Sequence, residues 1–243
     1  MRYRFVDCGY SLDRPEAGRE AYLAGHIPGA AFLGIEELSD LSVSGKGRHP
    51  LPSAEAFAAA AGQAGIGDGV FVVAYDHGGA GGAARLWWLL RHFGHDDVAV
   101  LLGGIDSWAG PLQDGEEEEV EPAEFVPRLR AGDTIETDEL AERLDQPGLV
   151  VVDVRVPERY RGEVEPYDPV AGRIPGAVNW PHPVAAQVPD EVARADEIVV
   201  YCGSGITACV NLLALAQAGR PDARLYPGSW SEWCSRGLPS ETG

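Results

Sequence analysis

Four landmarks in this chain occur twice in the same order, and that duplication limits the possible fold more than any other feature. An apolar run ending in aspartate opens each half, Phe5-Val6-Asp7 and Val150-Val151-Val152-Asp153. An identical Ile-Pro-Gly-Ala follows, at positions 27–30 and 174–177. Next come Val70-Phe71-Val72-Val73-Ala74-Tyr75 and Ile198-Val199-Val200-Tyr201, each leading into a Gly-rich turn and a helical stretch. A glycine five residues ahead of a tryptophan closes each copy, Gly103 to Trp108 and Gly228 to Trp233. The offset between copies is 147 at the Ile-Pro-Gly-Ala core (27 to 174), then 126 (75 to 201) and 125 (108 to 233). The first copy therefore holds about 21 extra residues, placed at roughly 34–52 and read as a long loop.

Short apolar runs bounded by Gly and Pro, alternating with helical stretches, predict βα units. The expected fold class is α/β: two tandem domains, each a largely parallel sheet flanked by helices. Residues 1–112 form the first expected domain and 135–243 the second. Between them, 113–134 reads as a solvated acidic linker with Glu116-Glu117-Glu118-Glu119, Pro122 and Pro127. Thr137 followed by Asp138 and Glu139 reads as a helix start. Ligands in such folds gather where strand C-termini meet helix N-termini, which is where both Gly-rich turns fall.

A formal charge of −19 excludes nucleic acid and anionic membranes as expected partners, since both require a basic surface. No apolar run reaches the roughly 18 residues of a membrane span, and Met1–Cys8 has no signal-peptide character, so a cytoplasmic protein is expected. The four cysteines, Cys8, Cys202, Cys209 and Cys234, form no C-x-x-C pair and no metal-ligand spacing; neither a metal nor a cofactor is expected. His77-Gly78-Gly79-Ala80-Gly81-Gly82 lacks the Gly-Lys-Ser/Thr ending of a phosphate-binding loop.

Cys202 stands apart. It ends a strand and opens the tight loop Cys202-Gly203-Ser204-Gly205-Ile206-Thr207, with a helix expected from Ala208 to Gly219. Two glycines allow successive N–H groups to turn toward the sulfur, and the helix N-terminus adds its partial positive charge at the same place. Such an environment suits a nucleophilic cysteine, whereas an ordinary buried cysteine before a βα turn is the alternative on spacing alone.

The loop Cys202-Gly203-Ser204-Gly205-Ile206-Thr207 resembles the active-site loop of the 3-mercaptopyruvate sulfurtransferase branch of the rhodanese family. Tandem domains, the Ile-Pro-Gly-Ala cores and the closing Gly-Ser-Trp-x-Glu-Trp at 228–233 extend that resemblance over nearly the whole chain. It implies a catalytic second domain and an inactive first one, in which Asp76 stands at the position equivalent to Cys202. It further implies transfer of a sulfur from a small-molecule donor, 3-mercaptopyruvate or thiosulfate, through a Cys202 persulfide. The acceptor would be cyanide or a thiol, either a thioredoxin-like protein or a low-molecular-weight thiol. Ser204 would assist Cys202, and Gly203, Gly205, Ile206 and Thr207 would cradle the anion.

The uncharged Gly203-Ser204 pair favours a mono-carboxylate donor over thiosulfate, whose enzymes carry basic residues there. For the carboxylate, the resemblance points to Arg161, while the second family arginine is replaced by Tyr167; Arg173 occupies a usual histidine position. From the first copy it points to Glu36, where the family has aspartate, and to His49. The rival readings are a thiosulfate:cyanide sulfurtransferase and a non-catalytic rhodanese-like binding or sensing module. A phosphatase of this fold would need Cys-x5-Arg, and position 208 is alanine.

Overall fold

The computed structural model describes residues 2–14, 16–117, 120–182 and 187–243; Glu118 and Glu119 of the acidic run lie outside them. The chain divides into two compact units, Met1–Asp40 with Leu51–Arg130, and Leu41–Pro50 with Ala131–Gly243. Half of the extra segment expected to be a loop of the first copy thus groups with the second unit.

The first unit contains β1 (Arg2–Asp7), α1 (Ala17–Ala24), β2 (Ala31–Phe32), α2 (Ala54–Gln63), β3 (Val70–Tyr75), α3 (Gly81–His92) and β4 (Val98–Val100). Its sheet has the order β2-β1-β3-β4, all parallel. The second unit contains α4 (Thr137–Arg143), β5 (Leu149–Asp153), α5 (Pro157–Tyr160), β6 (Val178–Asn179), α6 (Asp190–Ala193), β7 (Glu197–Tyr201), α7 (Ala208–Gln217), β8 (Arg224–Leu225) and α8 (Ser229–Ser235). Its sheet repeats the scheme, β6-β5-β7-β8, again parallel throughout. This is the α/β, two-sheet architecture expected from the duplicated landmarks. Strands buried on both faces need continuous apolar runs, and Ile198, Val199, Val200 and Tyr201 are all fully buried.

The repeated landmarks have matching structural reasons. The Ile27 N–H donates to the Tyr75 hydroxyl at 3.2 Å, and the Ile174 N–H to the Tyr201 hydroxyl at 3.1 Å. Tyr201 in turn donates to Asp153 at 2.6 Å, so the strand-ending aspartate, the central-strand tyrosine and the Ile-Pro-Gly-Ala turn form one buried network. Gly29 and Gly176 take φ of 79° and 72°, a conformation glycine adopts without strain. Tyr22 and Tyr160 each lock the end of the turn by donating to the Ala30 and Ala177 carbonyls. In the second unit Trp230 and Trp233 are fully buried beside Val199, Tyr201 and Tyr226, which anchors the closing motif under the central strand.

In both sheets the central pair, β1/β3 and β5/β7, separates connections that run to opposite edges. The crevice at such a switch point is the usual ligand position in open parallel sheets. Cys202 follows β7 directly.

Candidate active site

Cys202 is buried, with its sulfur facing its own loop. The Ser204 N–H donates to Sγ at 3.4 Å and the Gly205 N–H at 3.1 Å. Two backbone dipoles thereby converge on the sulfur, an arrangement that stabilises negative charge there. Gly205 has φ 83°, and a Cβ on it would stand 2.6 Å from the Pro227 carbonyl oxygen, so only glycine fits. The closing motif supports the loop from behind. Ser229 accepts the Cys202 N–H at 3.1 Å, while Trp230 and Ser231 donate their N–H groups to the Cys202 and Gly203 carbonyls, each at 3.0 Å. Ser229 is held at φ 52°, a left-handed conformation costing a non-glycine residue about 1–2 kcal/mol. Glu232 accepts from Thr137 at 2.6 Å, tying that support to the start of α4.

Ser204 is buried, and its hydroxyl lies 2.8 Å from His49 Nδ1. Both belong to the second unit, because His49 sits on the Leu41–Pro50 stretch. Ile206 and Thr207 complete the loop, Thr207 preceding the first residue of α7. Glu36 lies on an exposed turn of the first unit, in a cavity of about 440 Å³ shared with Gly9, Tyr10, Arg19, Phe32 and Glu37.

The arginines differ from expectation. Arg161 spans the Glu163 carboxylate at 2.7 and 2.9 Å on the exposed surface, and Arg173 donates to the Gly243 carbonyl at 2.8 Å and stacks on Tyr160. Among the described residues neither contacts the Cys202 loop. Two arginines that sequence reasoning passed over do. A Cβ added to Gly203 would meet Arg48 Nη2 at 2.9 Å and Arg159 Nη1 at 3.3 Å. Arg159 stands two residues before the position picked from the motif, and α5 (Pro157–Tyr160) is too short for spacing alone to tell which arginine faces inward. Arg48, beside His49, could be placed only by a tertiary contact. The loop that looks uncharged in sequence is thus flanked by two guanidinium groups.

Those arginines belong to a buried ionic network. Arg155 donates to Asp153 at 2.6 Å and to Glu165 at 3.2 Å, Arg159 to Glu165 at 2.7 and 2.9 Å, and Arg48 pairs with Asp168. Three cations meet three carboxylates, each of which leaves only a few per cent of its side chain exposed. A buried charge stripped of its partner is strongly destabilising, so the network fixes the geometry around Gly203.

The equivalent loop of the first unit is filled differently. Asp76 accepts N–H groups from Gly78 at 3.1 Å and Ala80 at 3.3 Å, so a carboxylate takes the place that Sγ takes after β7. Burial nevertheless raises its pKa. His77 is bound to Asp7 at 2.8 Å. Of the other cysteines, Cys8 and Cys234 are buried in surroundings that push their thiols up, and Cys209 is buried within α7.

Comparison with known proteins places these features. The Rhodanese-like domain family matches residues 4–111 and 136–236. The protein SseB of Mycobacterium tuberculosis, named for thiosulfate sulfurtransfer, is 40% identical over 95% of this chain and 87% of its own length. The human 3-mercaptopyruvate sulfurtransferase is 37% identical over 98% of this chain and 87% of its own. The solved 3-mercaptopyruvate sulfurtransferase of Leishmania major superposes with a TM-score of 0.79 at 28% identity, covering 97% of this chain and 71% of that one. No helix among the described residues is long and apolar enough to cross a membrane. With both copies matched by the family and full-length sulfurtransferases as relatives, the chain belongs to the rhodanese family as one of its sulfurtransferases.

Proposed function

We propose that this sulfurtransferase carries sulfur on Cys202 and takes it from 3-mercaptopyruvate. The observation that carries this reading is the convergence of the Ser204 and Gly205 N–H groups on a sulfur at the end of the central strand. In the first half-reaction the Cys202 thiolate attacks the donor sulfur. The donor's carbon–sulfur bond breaks, its electron pair leaves with the three-carbon fragment as the enolate of pyruvate, and that fragment takes up a proton. Cys202 is left one sulfur atom heavier, as a persulfide. In the second half-reaction an acceptor thiol attacks the outer sulfur and regenerates the Cys202 thiolate. This is covalent catalysis, and it predicts ping-pong kinetics.

The bonded Ser204–His49 pair is the proton route in this reading: the hydroxyl polarises the donor thiol, and the imidazole accepts or returns the proton. Arg159, not Arg161, is the anchor for the donor carboxylate, because its Nη1 faces Gly203 while its Nε and Nη2 stay on Glu165. The first unit does not carry sulfur, because Asp76 holds the N–H groups a persulfide would need. The acceptor is a thiol, either small or on a thioredoxin-like protein, and the chain acts in the cytoplasm.

Thiosulfate as donor keeps some support, since the two guanidinium groups at Gly203 would also attract a dianion. Steady-state kinetics of the wild type and Cys202→Ser with both donors test the proposal. The wild type is expected to favour 3-mercaptopyruvate and Cys202→Ser to lose both activities, while Cys8→Ser, Cys209→Ser and Cys234→Ser keep most of theirs. Turnover near wild type in Cys202→Ser would refute it.

A further inference from the structure

The parallel ladder between β7 and β8 changes character at the nucleophile. Val199 and Val200 pair with Arg224 and Leu225, and the Tyr226 N–H still donates to the Val200 carbonyl at 3.0 Å. One rung further, a continued ladder would join the Cys202 N–H to the Tyr226 carbonyl. The Ser229 hydroxyl stands between them instead. It accepts the Cys202 N–H at 3.1 Å and donates to the Tyr226 carbonyl at 3.0 Å, so a side chain replaces the rung and spaces the Cys202 backbone from β8. Ser229 is fully buried and held at φ 52°. Among the described residues only Ala80 and Ser229 take positive φ without being glycine.

The first unit makes the same turn without the bridge. Ile105 donates its N–H to the Asp76 carbonyl at 2.9 Å, as Trp230 does to the Cys202 carbonyl at 3.0 Å, which makes Gly104 the counterpart of Ser229. Gly104 has φ 59°, close to the angle of Ser229, and a glycine adopts it freely. A Cβ on Gly104 would overlap the Asp76 carbonyl oxygen, so this turn closes too tightly to admit a side chain. The duplicated fold is therefore built with an unstrained glycine where the strand leads into Asp76. It keeps a strained serine where the strand leads into Cys202. Strain of this kind persists where the geometry it holds serves a reaction.

We propose that Ser229 is a positioning residue for Cys202. Its hydroxyl holds the Cys202 N–H while the Trp230 N–H holds the Cys202 carbonyl, and together they set the direction of the Cα–Cβ bond. That direction leaves Sγ 3.1 Å from the Gly205 nitrogen and 3.4 Å from the Ser204 nitrogen, contacts that need placement within about 0.5 Å. Without the hydroxyl, the Cys202 N–H and the Tyr226 carbonyl close toward a direct rung, which draws the sulfur off its two donors. The inference rests on the reading of Cys202 as the sulfur carrier.

Ser229→Gly and Ser229→Ala both remove the hydroxyl, but only the glycine variant sheds the strain. Each is compared with the wild type by thermal unfolding and by rapid-quench intact mass, which follows sulfur loading over a range of 3-mercaptopyruvate concentrations. A reacting group misplaced by about 1 Å loses on the order of a hundredfold in rate. A partial shift is expected to lower the maximal loading rate at least roughly tenfold, with half-saturation by the donor unchanged within about twofold. The defect should be the same size in both variants, although Ser229→Gly melts well above Ser229→Ala. A serine with a structural role alone predicts that loading by the folded protein follows melting, so that Ser229→Gly loads at nearly the wild-type rate. If Ser229→Ala does not fold, Ser229→Gly decides alone. Loading by Ser229→Gly near the wild-type rate, or a defect that deepens from Ser229→Gly to Ser229→Ala in step with melting, overturns the positioning role while the carrier reading stands. A wild type that neither 3-mercaptopyruvate nor thiosulfate loads with sulfur brings down both.

Discussion

Gly203 and Gly205 are two residues apart, and the same change to alanine should do opposite things at them. At Gly205 the φ of 83° costs a side chain about 1–2 kcal/mol before any contact is considered. The added Cβ would also stand 2.6 Å from the Pro227 carbonyl oxygen, and that backbone cannot give way freely. Pro227 leads into Ser229 and Trp230, which bond the Cys202 N–H and carbonyl. Together the two effects amount to roughly 2–4 kcal/mol, a fall in Tm on the order of 10 °C for a unit of this size. At Gly203 the φ is ordinary, and the nearest atoms are side-chain nitrogens, Arg48 Nη2 at 2.9 Å and Arg159 Nη1 at 3.3 Å, which need give by only a few tenths of an ångström while Arg48 Nη1 stays on Asp168 and Arg159 stays on Glu165. Stability there should move by less than about 0.5 kcal/mol. Scanning calorimetry paired with donor kinetics separates the two. Gly205→Ala should melt early and fail to load sulfur; Gly203→Ala should melt like the wild type and load only at higher donor concentration. Equal melting and equal kinetics in both variants would refute the account of the loop as a nest backed by the closing motif and flanked by two arginines.

Other outcomes follow from the same geometry. Arg161→Ala should leave kcat/KM for 3-mercaptopyruvate within about twofold, because its partner is an exposed glutamate worth little; Arg159→Ala should lower it roughly ten- to hundred-fold. Arg159→Ala should also lower Tm, since Glu165 loses one of its two arginines inside the second unit. Asp76 is buried with its pKa raised, so its charged form disfavours the fold: its contribution to stability is complete below the unfolded value of 3.8 and is lost as pH rises through the higher folded value. Asp76→Asn should therefore raise Tm at neutral pH by an amount that shrinks toward pH 3. A thermal melt series across that range checks it, and a neutral-pH Tm that fell instead would show that the loop N–H groups require the charge.

The duplication, the parallel sheets and the place of Cys202 were legible because local signals carry them. Apolar runs mark strands, and glycines mark positive-φ turns such as Gly29 and Gly176. The role of Ile-Pro-Gly-Ala as the partner of Tyr75 and Tyr201 was not visible, because it depends on hydrogen bonds across 48 and 27 residues of sequence. Charge at the site was misjudged for the same reason. Reading the loop itself gave no cation, while folding brings Arg48 and Arg159 to Gly203 from 155 and 44 residues away. Picking Arg161 over Arg159 was a choice between two arginines two residues apart, one in the four-residue helix α5 and one just after it, where periodicity has no power to decide.

The central claim is that Cys202 itself carries the sulfur. Intact mass spectrometry of the protein after brief exposure to 3-mercaptopyruvate without acceptor, followed by peptide mapping, tests it most directly. The account predicts a protein heavier by one sulfur atom, the addition confined to the peptide holding Cys202 and removed by an added thiol. A mass that does not change with either 3-mercaptopyruvate or thiosulfate, or an added sulfur mapping to Cys8, Cys209 or Cys234, would contradict it.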